Sequence, residues 1–189
     1  MRANFNARAC VIQSTAKAAR VAPKNPSVPA NIGWVHRAKA ISFKYASEEQ
    51  KLAYADAEGQ FRKALELNPK YTDALTGLGW VLQDQADVLT DEAKYHESIE
   101  TLNKSLAVKE DQPYAHDALG WSYFGLKQYD HAEKAFNRAI ALKSDYGDAY
   151  YGLGRTFQEQ GKTDDARNAY QQAVDNGSSN AKQALDELK

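Results

Sequence analysis

Small and large apolar residues recur along the chain at spacings of four and three. Four segments carry such a set, in which two small residues flank a large one: Ala57, Phe61 and Ala64; Ser98, Leu102 and Ser105; Ala132, Phe136 and Ala139; Ala166, Tyr170 and Ala173. These spacings place the three members of each set on one face of a helix. Small residues are needed where large side chains of a partner helix press in, so each set predicts a helix packed closely against another.

Three glycines mark the partner helices. Gly79, Gly120 and Gly154 occupy equivalent positions when the chain is aligned with itself. The alignment divides the chain into segments 31–71, 72–112, 113–146 and 147–180, which contain 41, 41, 34 and 34 residues. Each segment predicts one pair of helices joined by a turn, and no strand pattern occurs.

The first two segments are seven residues longer than the last two, which is close to two helical turns and preserves the inward face. We therefore predict longer helices, with a longer solvated loop as the alternative. Ser47 and Gln50 have capping-box spacing for a helix start, and Thr90 followed by Asp91 offers a similar start. Longer helices would create a protruding acidic edge, here called the extended edge. The acids near it are Glu48, Glu49, Asp87, Asp91 and Glu92.

The flanking segments complete the predicted organisation. Residues 1–30 would contain a half-repeat helix over residues 5–21, which covers the open face of the first segment, and an extended Pro-rich connector over residues 23–29. Residues 181–189 would form a C-terminal cap with a short helix. The predicted repeat domain is then residues 31–180.

These recurring positions resemble the tetratricopeptide repeat, in which each unit is a pair of helices. The resemblance covers residues 31–180. It departs from the family pattern at Arg37, where a large apolar residue is usual, and at His116, where Trp, Leu or Tyr is usual. The resemblance implies an all-α, right-handed superhelix of about four helix-turn-helix repeats with partial capping helices.

In this family the first helices line a concave groove, so the resemblance also implies a peptide-binding site. The groove slots, carried over by position, are Lys39, Phe43, Asp73, Trp80, Tyr114, Asp117, Trp121, Phe124, Asp148, Tyr151 and Arg155. This groove would be aromatic with an acidic border. The Lys, Asn and Arg set with which heat-shock co-chaperones clamp an acidic C-terminal tail is absent from the corresponding slots.

Trp80 and Trp121 occupy equivalent slots outside the packing set and are the predicted anchors for a peptide. The alternative is that both rings pack sideways against neighbouring helices. Gly77, Ala118 and Gly152 lie three residues before groove slots, so a ligand backbone could approach there.

Charge determines the predicted partner. The 189 residues are 43% hydrophobic and 26% charged, with no apolar run long enough to insert into a membrane. The net charge of −1 argues against a nucleic-acid partner, and it combines +8 over residues 1–47 with −9 over the rest. Because Asp73, Asp117 and Asp148 border the groove, we expect a protein or peptide partner that combines apolar with basic residues. The chain's own N-terminal segment has that composition.

No catalytic residue, metal site or cofactor is expected. The histidines, His36, His96, His116 and His131, occupy different slots without metal-ligand spacing, and Cys10 is the only cysteine. A single cysteine makes the cytoplasm the default location. The acid-free N-terminus leaves organellar import open, and no secretory core follows Met1, so export is expected only of a trimmed chain.

The expected function is that of a non-enzymatic scaffold or adaptor, which binds an extended or helical peptide segment in its groove. The alternative is a self-assembling scaffold that forms a homo-oligomer through its basic N-terminal segment or its extended edge. A regulatory domain of a larger enzyme is the third interpretation.

Overall fold

The computed structural model describes residues 24–188, and every regular element in that range is a helix. The helices are α1 (Ser27–Ile41), α2 (Glu48–Leu67), α3 (Thr72–Leu89), α4 (Glu92–Val108), α5 (Pro113–Gly125), α6 (Tyr129–Leu142), α7 (Gly147–Glu159), α8 (Thr163–Asp175) and α9 (Ala181–Glu187). They confirm the predicted all-helical class built from helix-turn-helix repeats. The half-repeat predicted over residues 5–21 lies outside the described residues.

The chain forms two compact units, divided after Val108. Unit 1 contains helices α1 to α4, and unit 2 contains helices α5 to α9. In both units the most extensive contacts join the two helices of a pair, and successive pairs pack through α2 against α3 and through α6 against α7. Each unit is therefore two stacked helix pairs, and in unit 2 the short α9 packs against α8.

The predicted packing set forms the core of both units. Every member of the four small-large-small sets has 0% exposure to solvent. The ring edge of Phe61 rests against two glycines, Gly33 of α1 and Gly77 of α3. A Cβ atom built on Gly33 would lie 2.9 Å from this ring, and one built on Gly77 would lie closer still. One ring thus requires glycine on the first helices of two successive pairs.

Phe136 repeats this arrangement in unit 2. Its ring edge rests against Gly120 of α5 and Gly152 of α7, and a Cβ atom on Gly120 would lie 2.5 Å from it. In unit 1, Gly79 makes room for Leu102 in the same way. The glycines that aligned in the sequence are therefore sites of close helix approach.

Serine occupies the small slots of α4, where it bonds to the facing helix. Ser98 Oγ donates to the carbonyl oxygen of Gly79 at 2.7 Å, and the hydroxyl oxygens of Ser105 and Thr76 lie 3.0 Å apart. Both serines are fully buried. These bonds satisfy polar groups that have no access to water.

The extra residues of the first two segments lengthen the helices, as predicted. Helices α2, α3 and α4 contain 20, 18 and 17 residues, whereas α5 to α8 contain 13 or 14. Ser47 caps α2, because its side chain accepts a hydrogen bond from the Gln50 amide. Gln50 Oε1 in turn accepts from the amide of Ala46, the residue before the cap, at 2.7 Å, which also fixes the turn at the start of the helix.

Thr90 does not start α4, contrary to the prediction. It ends α3 in the left-handed backbone conformation, with φ of 54°. Asp91 takes the capping role, since its Oδ1 accepts a hydrogen bond from the Ala93 amide at 3.0 Å. The chain therefore leaves one helix at Thr90 and enters the next directly after Asp91.

The Pro-rich segment differs from the predicted extended connector, because α1 begins at Ser27 and includes Pro29. Pro29 is the third residue of the helix, where a backbone N–H would have no partner within the helix. Its missing N–H therefore costs no hydrogen bond. Asn25 Oδ1 accepts from the Ser27 amide at 3.0 Å and thereby satisfies another free donor at this end.

Replacing Gly77 with alanine is expected to destabilise the protein, since the new Cβ atom would overlap the buried Phe61 ring. We expect the free energy of unfolding to fall by about 1–3 kcal/mol. Gly59→Ala in α2 is the matched control, because its Cβ atom would meet nothing within 4 Å. It should gain about 0.5–1 kcal/mol from better helix propensity. Urea unfolding followed by circular dichroism measures both, and equal changes would contradict the packing argument.

Candidate functional site

In unit 1, the first helices α1 and α3 meet at a charged and aromatic cluster, here called the Arg37 cluster. Arg37 donates to the Asp84 carboxylate through Nε at 2.7 Å and Nη2 at 3.3 Å. Its guanidinium carbon lies 4.7 Å from the ring centre of Trp80 and 5.9 Å from that of Trp34. The Arg37 and Asp84 side chains are only 18% and 14% exposed. The half-buried Trp80 ring therefore lies against a cation that is itself paired.

Burial governs the protonation of Asp84. Loss of water disfavours the charged carboxylate and raises its pKa from 3.8 to about 6, while the Arg37 guanidinium acts in the opposite direction. At neutral pH the carboxylate is thus charged and pairs with Arg37. This pairing explains how arginine occupies a slot where the repeat pattern has an apolar residue.

The other groove residues predicted in unit 1 lie apart from this cluster. Lys39 is exposed, with its Nζ 5.7 Å from the ring centre of Phe43. Phe43 follows the end of α1 instead of lying on a first helix, and it packs against the core. Asp73 is exposed near the start of α3 and accepts a hydrogen bond from the Tyr71 hydroxyl at 3.2 Å.

In unit 2, helices α5 and α7 bring four predicted residues together in what we call the Arg155 cluster. The Trp121 ring centre lies 5.7 Å from that of Phe124 and 6.0 Å from that of Tyr151. The Arg155 guanidinium carbon lies 5.3 Å from the Phe124 ring centre, and its Nη1 lies 3.5 Å from the Tyr151 hydroxyl oxygen. All four side chains are half-buried. Their helical spacings of three and four place each pair on one face.

Both tryptophans contact neighbouring helices, as the alternative interpretation expected. The Trp121 ring centre lies 5.4 Å from that of Phe136, edge to face, and Trp121 borders the core of unit 2. Trp80 lies against Arg37 of α1. Neither ring is fully buried, so each packs on one side and remains accessible on another.

Asp117 does not form an acidic border, contrary to the prediction. It is 1% exposed, and its Oδ2 accepts a hydrogen bond from the Tyr146 hydroxyl at 2.6 Å. Burial and the nearby carboxylate raise the pKa of Tyr146, so its hydroxyl remains a donor. Tyr114 is 52% exposed and packs edge to face on Tyr146. Asp148 is exposed and accepts from Ser178 Oγ at 3.0 Å.

The small residues that were expected to admit a ligand backbone leave no room for one. The space beside Gly77 and Gly152 is filled by the rings of Phe61 and Phe136. Ala118 is 0% exposed. These residues serve helix packing, and a ligand on either unit would meet the aromatic side chains beside them instead.

Sequence reasoning missed Asp84 and Tyr146. The sequence did contain a signal for Asp84. This acid lies one turn after Trp80 on the same helix, and on α1 the charged Arg37 occupies a slot that is usually apolar. Two unusual charges of opposite sign indicate a pair. No such signal marks Tyr146, which lies directly before α7 in a turn.

The extended edge of unit 1 carries exposed apolar side chains as well as acids. Ile41, Tyr45, Leu52 and Leu89 are 56%, 67%, 66% and 43% exposed. The Tyr45 hydroxyl donates to the carbonyl oxygen of Asp87 at 2.9 Å, which ties the turn after α1 to α3. The exposed acids at this edge include Glu48, Glu49 and Glu92.

Within residues 24–188, no three potential metal ligands among His, Cys, Asp and Glu side chains come together. In that range, the one histidine nitrogen within 4 Å of a carboxylate is His36 Nδ1, which lies 3.6 Å from Asp56. None of the helices described is long and apolar enough to span a bilayer.

Two overlapping stretches of the chain match the family described as Tetratricopeptide repeat, over residues 83–147 and 117–181. Together the two stretches cover more than half of the chain. No curated protein matches it.

Solved structures extend the similarity over most of the chain. The crystal structure of MamA is 26% identical, covers 77% of this chain and 83% of its own, and has a TM-score of 0.61. TTC0263, a thermophilic TPR protein of Thermus thermophilus, is 15% identical, covers 98% and 92%, and has a TM-score of 0.76, which shows the fold alone. The first TPR of Spaghetti (RPAP3), bound to the HSP90 peptide SRMEEVD, is 25% identical, covers 58% and 89%, and has a TM-score of 0.50.

The titration of Asp84 is expected to make stability depend on pH. Its folded pKa of about 6 lies above its ordinary value of 3.8, so folding favours the protonated carboxyl. This contribution is complete below pH 4 and is lost as the pH rises through 6. The unfolding free energy of the wild type minus that of Asp84→Asn should therefore decrease between pH 4 and pH 7, by up to about 3 kcal/mol.

Urea unfolding of both proteins at several pH values in this range measures that difference. Subtraction cancels the carboxylates that the two proteins share. A difference that increases with pH would contradict the prediction and would mean that Arg37 outweighs burial at this site.

Proposed function

Because the chain belongs to the tetratricopeptide repeat family, we propose that it is a non-enzymatic adaptor that binds a peptide segment of another protein. The binding surfaces are the faces that α1 and α3 form in unit 1 and that α5 and α7 form in unit 2. The predicted groove residues on these faces are the proposed contacts, except Asp117, which is buried, and Phe43, which lies beyond the end of α1. A cytoplasmic location, which rests on the single Cys10, remains part of the proposal.

The observation that carries this proposal is the pair of half-buried aromatic clusters on these faces. Trp80 rests on Arg37, and Trp121 rests on Phe124 and Tyr151. Contacts with neighbouring helices restrict these rings before a ligand arrives, so binding loses little side-chain entropy. Rigid, partly exposed aromatic side chains are typical anchors at protein interfaces.

The proposed ligand combines apolar residues with at least one basic residue. Its apolar side chains would contact the aromatic cluster of the unit to which it binds. Its basic residue would pair with Asp73 or Asp148, which are the exposed acids of the predicted border. The Spaghetti (RPAP3) repeat with an HSP90 peptide supports peptide binding as such. The absent clamp residues argue that this chain contacts its ligand differently.

The second candidate function is self-assembly through the extended edge. Its specific support is the group of exposed apolar side chains Ile41, Tyr45, Leu52 and Leu89. Apolar residues surrounded by acids are typical of an interaction surface. The basic N-terminal segment of a second copy has complementary charge.

Replacing Trp80 with alanine is expected to abolish the capture of specific partners from native lysate, because a buried aromatic anchor commonly supplies about 2 kcal/mol or more of binding energy, about thirtyfold in affinity. Affinity capture with quantitative mass spectrometry measures the loss. Tyr45→Ala is the matched control, an exposed aromatic residue at the extended edge. Equal helix content by circular dichroism ensures that folding is intact. If Tyr45→Ala loses the partners and Trp80→Ala keeps them, the binding surface is the extended edge and not the groove face.

Self-assembly is tested by sedimentation velocity over a hundredfold range of protein concentration. If the extended edge joins copies, Leu52→Glu should dissociate the oligomer, because it places a charge in an apolar contact. Val108→Glu, at an exposed apolar residue away from this edge, is the control. A wild-type chain that sediments as a monomer at every concentration would eliminate this candidate.

A further inference from the structure

A cavity of about 430 Å³ adjoins the Arg155 cluster in unit 2. Helix α7 forms one wall, and the other comes from α9 with the residues directly before it. Its polar lining includes Tyr151, Arg155 and Gln158 from α7, and Asn180, Gln183 and Glu187 from the opposite wall. The cavity thus joins three slots of a first helix to the C-terminal cap.

Arg155 is the one basic residue among those that line this cavity. It is half-buried between the Phe124 ring, 5.3 Å away, and the Tyr151 hydroxyl, 3.5 Å away. None of the ion pairs among the described residues includes Arg155. A guanidinium has five N–H donors, and a carboxylate matches their geometry better than any other side-chain group.

Two acids, Glu159 and Glu187, line the same cavity. Glu159 and Glu187 are exposed, so water and salt screen their charges more than that of the half-buried Arg155. Each also accepts a hydrogen bond, Glu159 from the Tyr129 hydroxyl at 3.4 Å and Glu187 from Gln183 at 2.7 Å. A negative group beside the Arg155 guanidinium is therefore attracted by it more strongly than the two screened carboxylates repel that group.

We propose that this cavity binds the side-chain carboxylate of an internal Asp or Glu in the partner's peptide segment, with Arg155 as its counter-ion. The inference rests on the proposed adaptor function and adds a specificity-determining residue to it. An apolar residue of the same segment contacts the adjoining Trp121 and Tyr151 rings.

The lining favours a residue within a segment over a chain end. Gln158 accepts from the Tyr170 hydroxyl at 2.6 Å, which leaves its amide nitrogen as a donor, and Asn180 offers both a donor and an acceptor. Backbone groups on both sides of an internal residue can use these amides. The carboxylates of Glu159 and Glu187 can likewise accept hydrogen bonds from the backbone N–H groups of a peptide that continues past the bound residue.

The test uses the 189-residue chain on a resin and four libraries of nonapeptides with random flanking residues. Three libraries are acetylated and amidated at the ends, with Glu, Gln or Lys fixed at the centre. The fourth has central Gln and a free C-terminal carboxylate. Mass spectrometry quantifies the retained peptides. We expect about tenfold higher retention of the Glu library than of the Gln library, the effect of one charge-assisted contact in a half-exposed site.

Variants show whether the preference for the Glu library depends on Arg155. Arg155→Gln should reduce the ratio of Glu to Gln retention to about one, and Arg155→Lys should keep part of it because the charge remains. Arg138→Gln is the matched control, since Arg138 lies in the same unit outside the cavity and already pairs with Glu110 and Asp111. It should leave the ratio unchanged. Thermal unfolding of each variant shows whether the fold is retained.

The inference is overturned if the wild type retains the Glu and Gln libraries equally, prefers Lys, or keeps its preference in Arg155→Gln. Preferential retention of the fourth library would assign the cavity to a chain end and overturn the choice of an internal residue. These outcomes are separate from the failure of the adaptor proposal. If the libraries show no charge preference while Trp80→Ala still abolishes partner capture, the adaptor function stands and this site does not.

Discussion

In both units, a large ring from a second helix rests against two glycines from the first helices of successive pairs. Phe61 packs against Gly33 and Gly77, and in unit 2 Phe136 packs against Gly120 and Gly152 in the same way. Any side chain at these glycines would overlap the ring, so three helices are positioned by one contact. The exposed face lies beside this packing. Trp80 directly follows Gly79, which packs against Leu102, and Trp80 is half-buried at the boundary between core and solvent.

The longer helices of unit 1 add a polar interaction to this apolar packing. Burying Arg37 and Asp84 removes two charges from water, and their mutual attraction offsets that cost only while both are present. Removal of either partner would leave a buried charge without compensation. The pair therefore favours one register of α1 against α3. Because the guanidinium also lies against Trp80, the same pair determines where this aromatic ring is presented.

The sequence predicted the core well because core packing is periodic. The small-large-small sets and the glycines recur at constant spacing, and each such residue proved to be buried. Helix ends were less predictable. Thr90 and Asp91 could both cap α4, and the choice depended on which of them adopts the left-handed conformation. Pro29 was predicted to be extended, although proline is compatible with the first turn of a helix.

For the candidate site, prediction from the sequence has a different limit. Position in the repeat predicted which residues share a face, but the accessibility of a side chain depends on residues outside the repeat pattern. Asp117 is buried because Tyr146, from the turn before α7, covers it and donates to its carboxylate. Arg155, another of the predicted groove residues, is only half-buried and faces a cavity. Counting groove charges therefore overestimated the acidity of this face.

What a ligand meets is the set of accessible charges that lack a charged partner, and in unit 2 that set contains both signs. Asp148 and Arg155 lie seven residues apart on α7, so they share a helix face and are separated by about 10 Å along the axis. An extended peptide advances about 3.3 Å per residue, so this distance corresponds to about three residues. Together, the proposed basic contact and the proposed carboxylate site therefore select a segment with opposite charges three positions apart. Neither the net charge of the chain nor the number of acids in its groove predicts this charge pattern in the ligand. The pattern depends on how deeply the charged side chains are buried and on the distance between them.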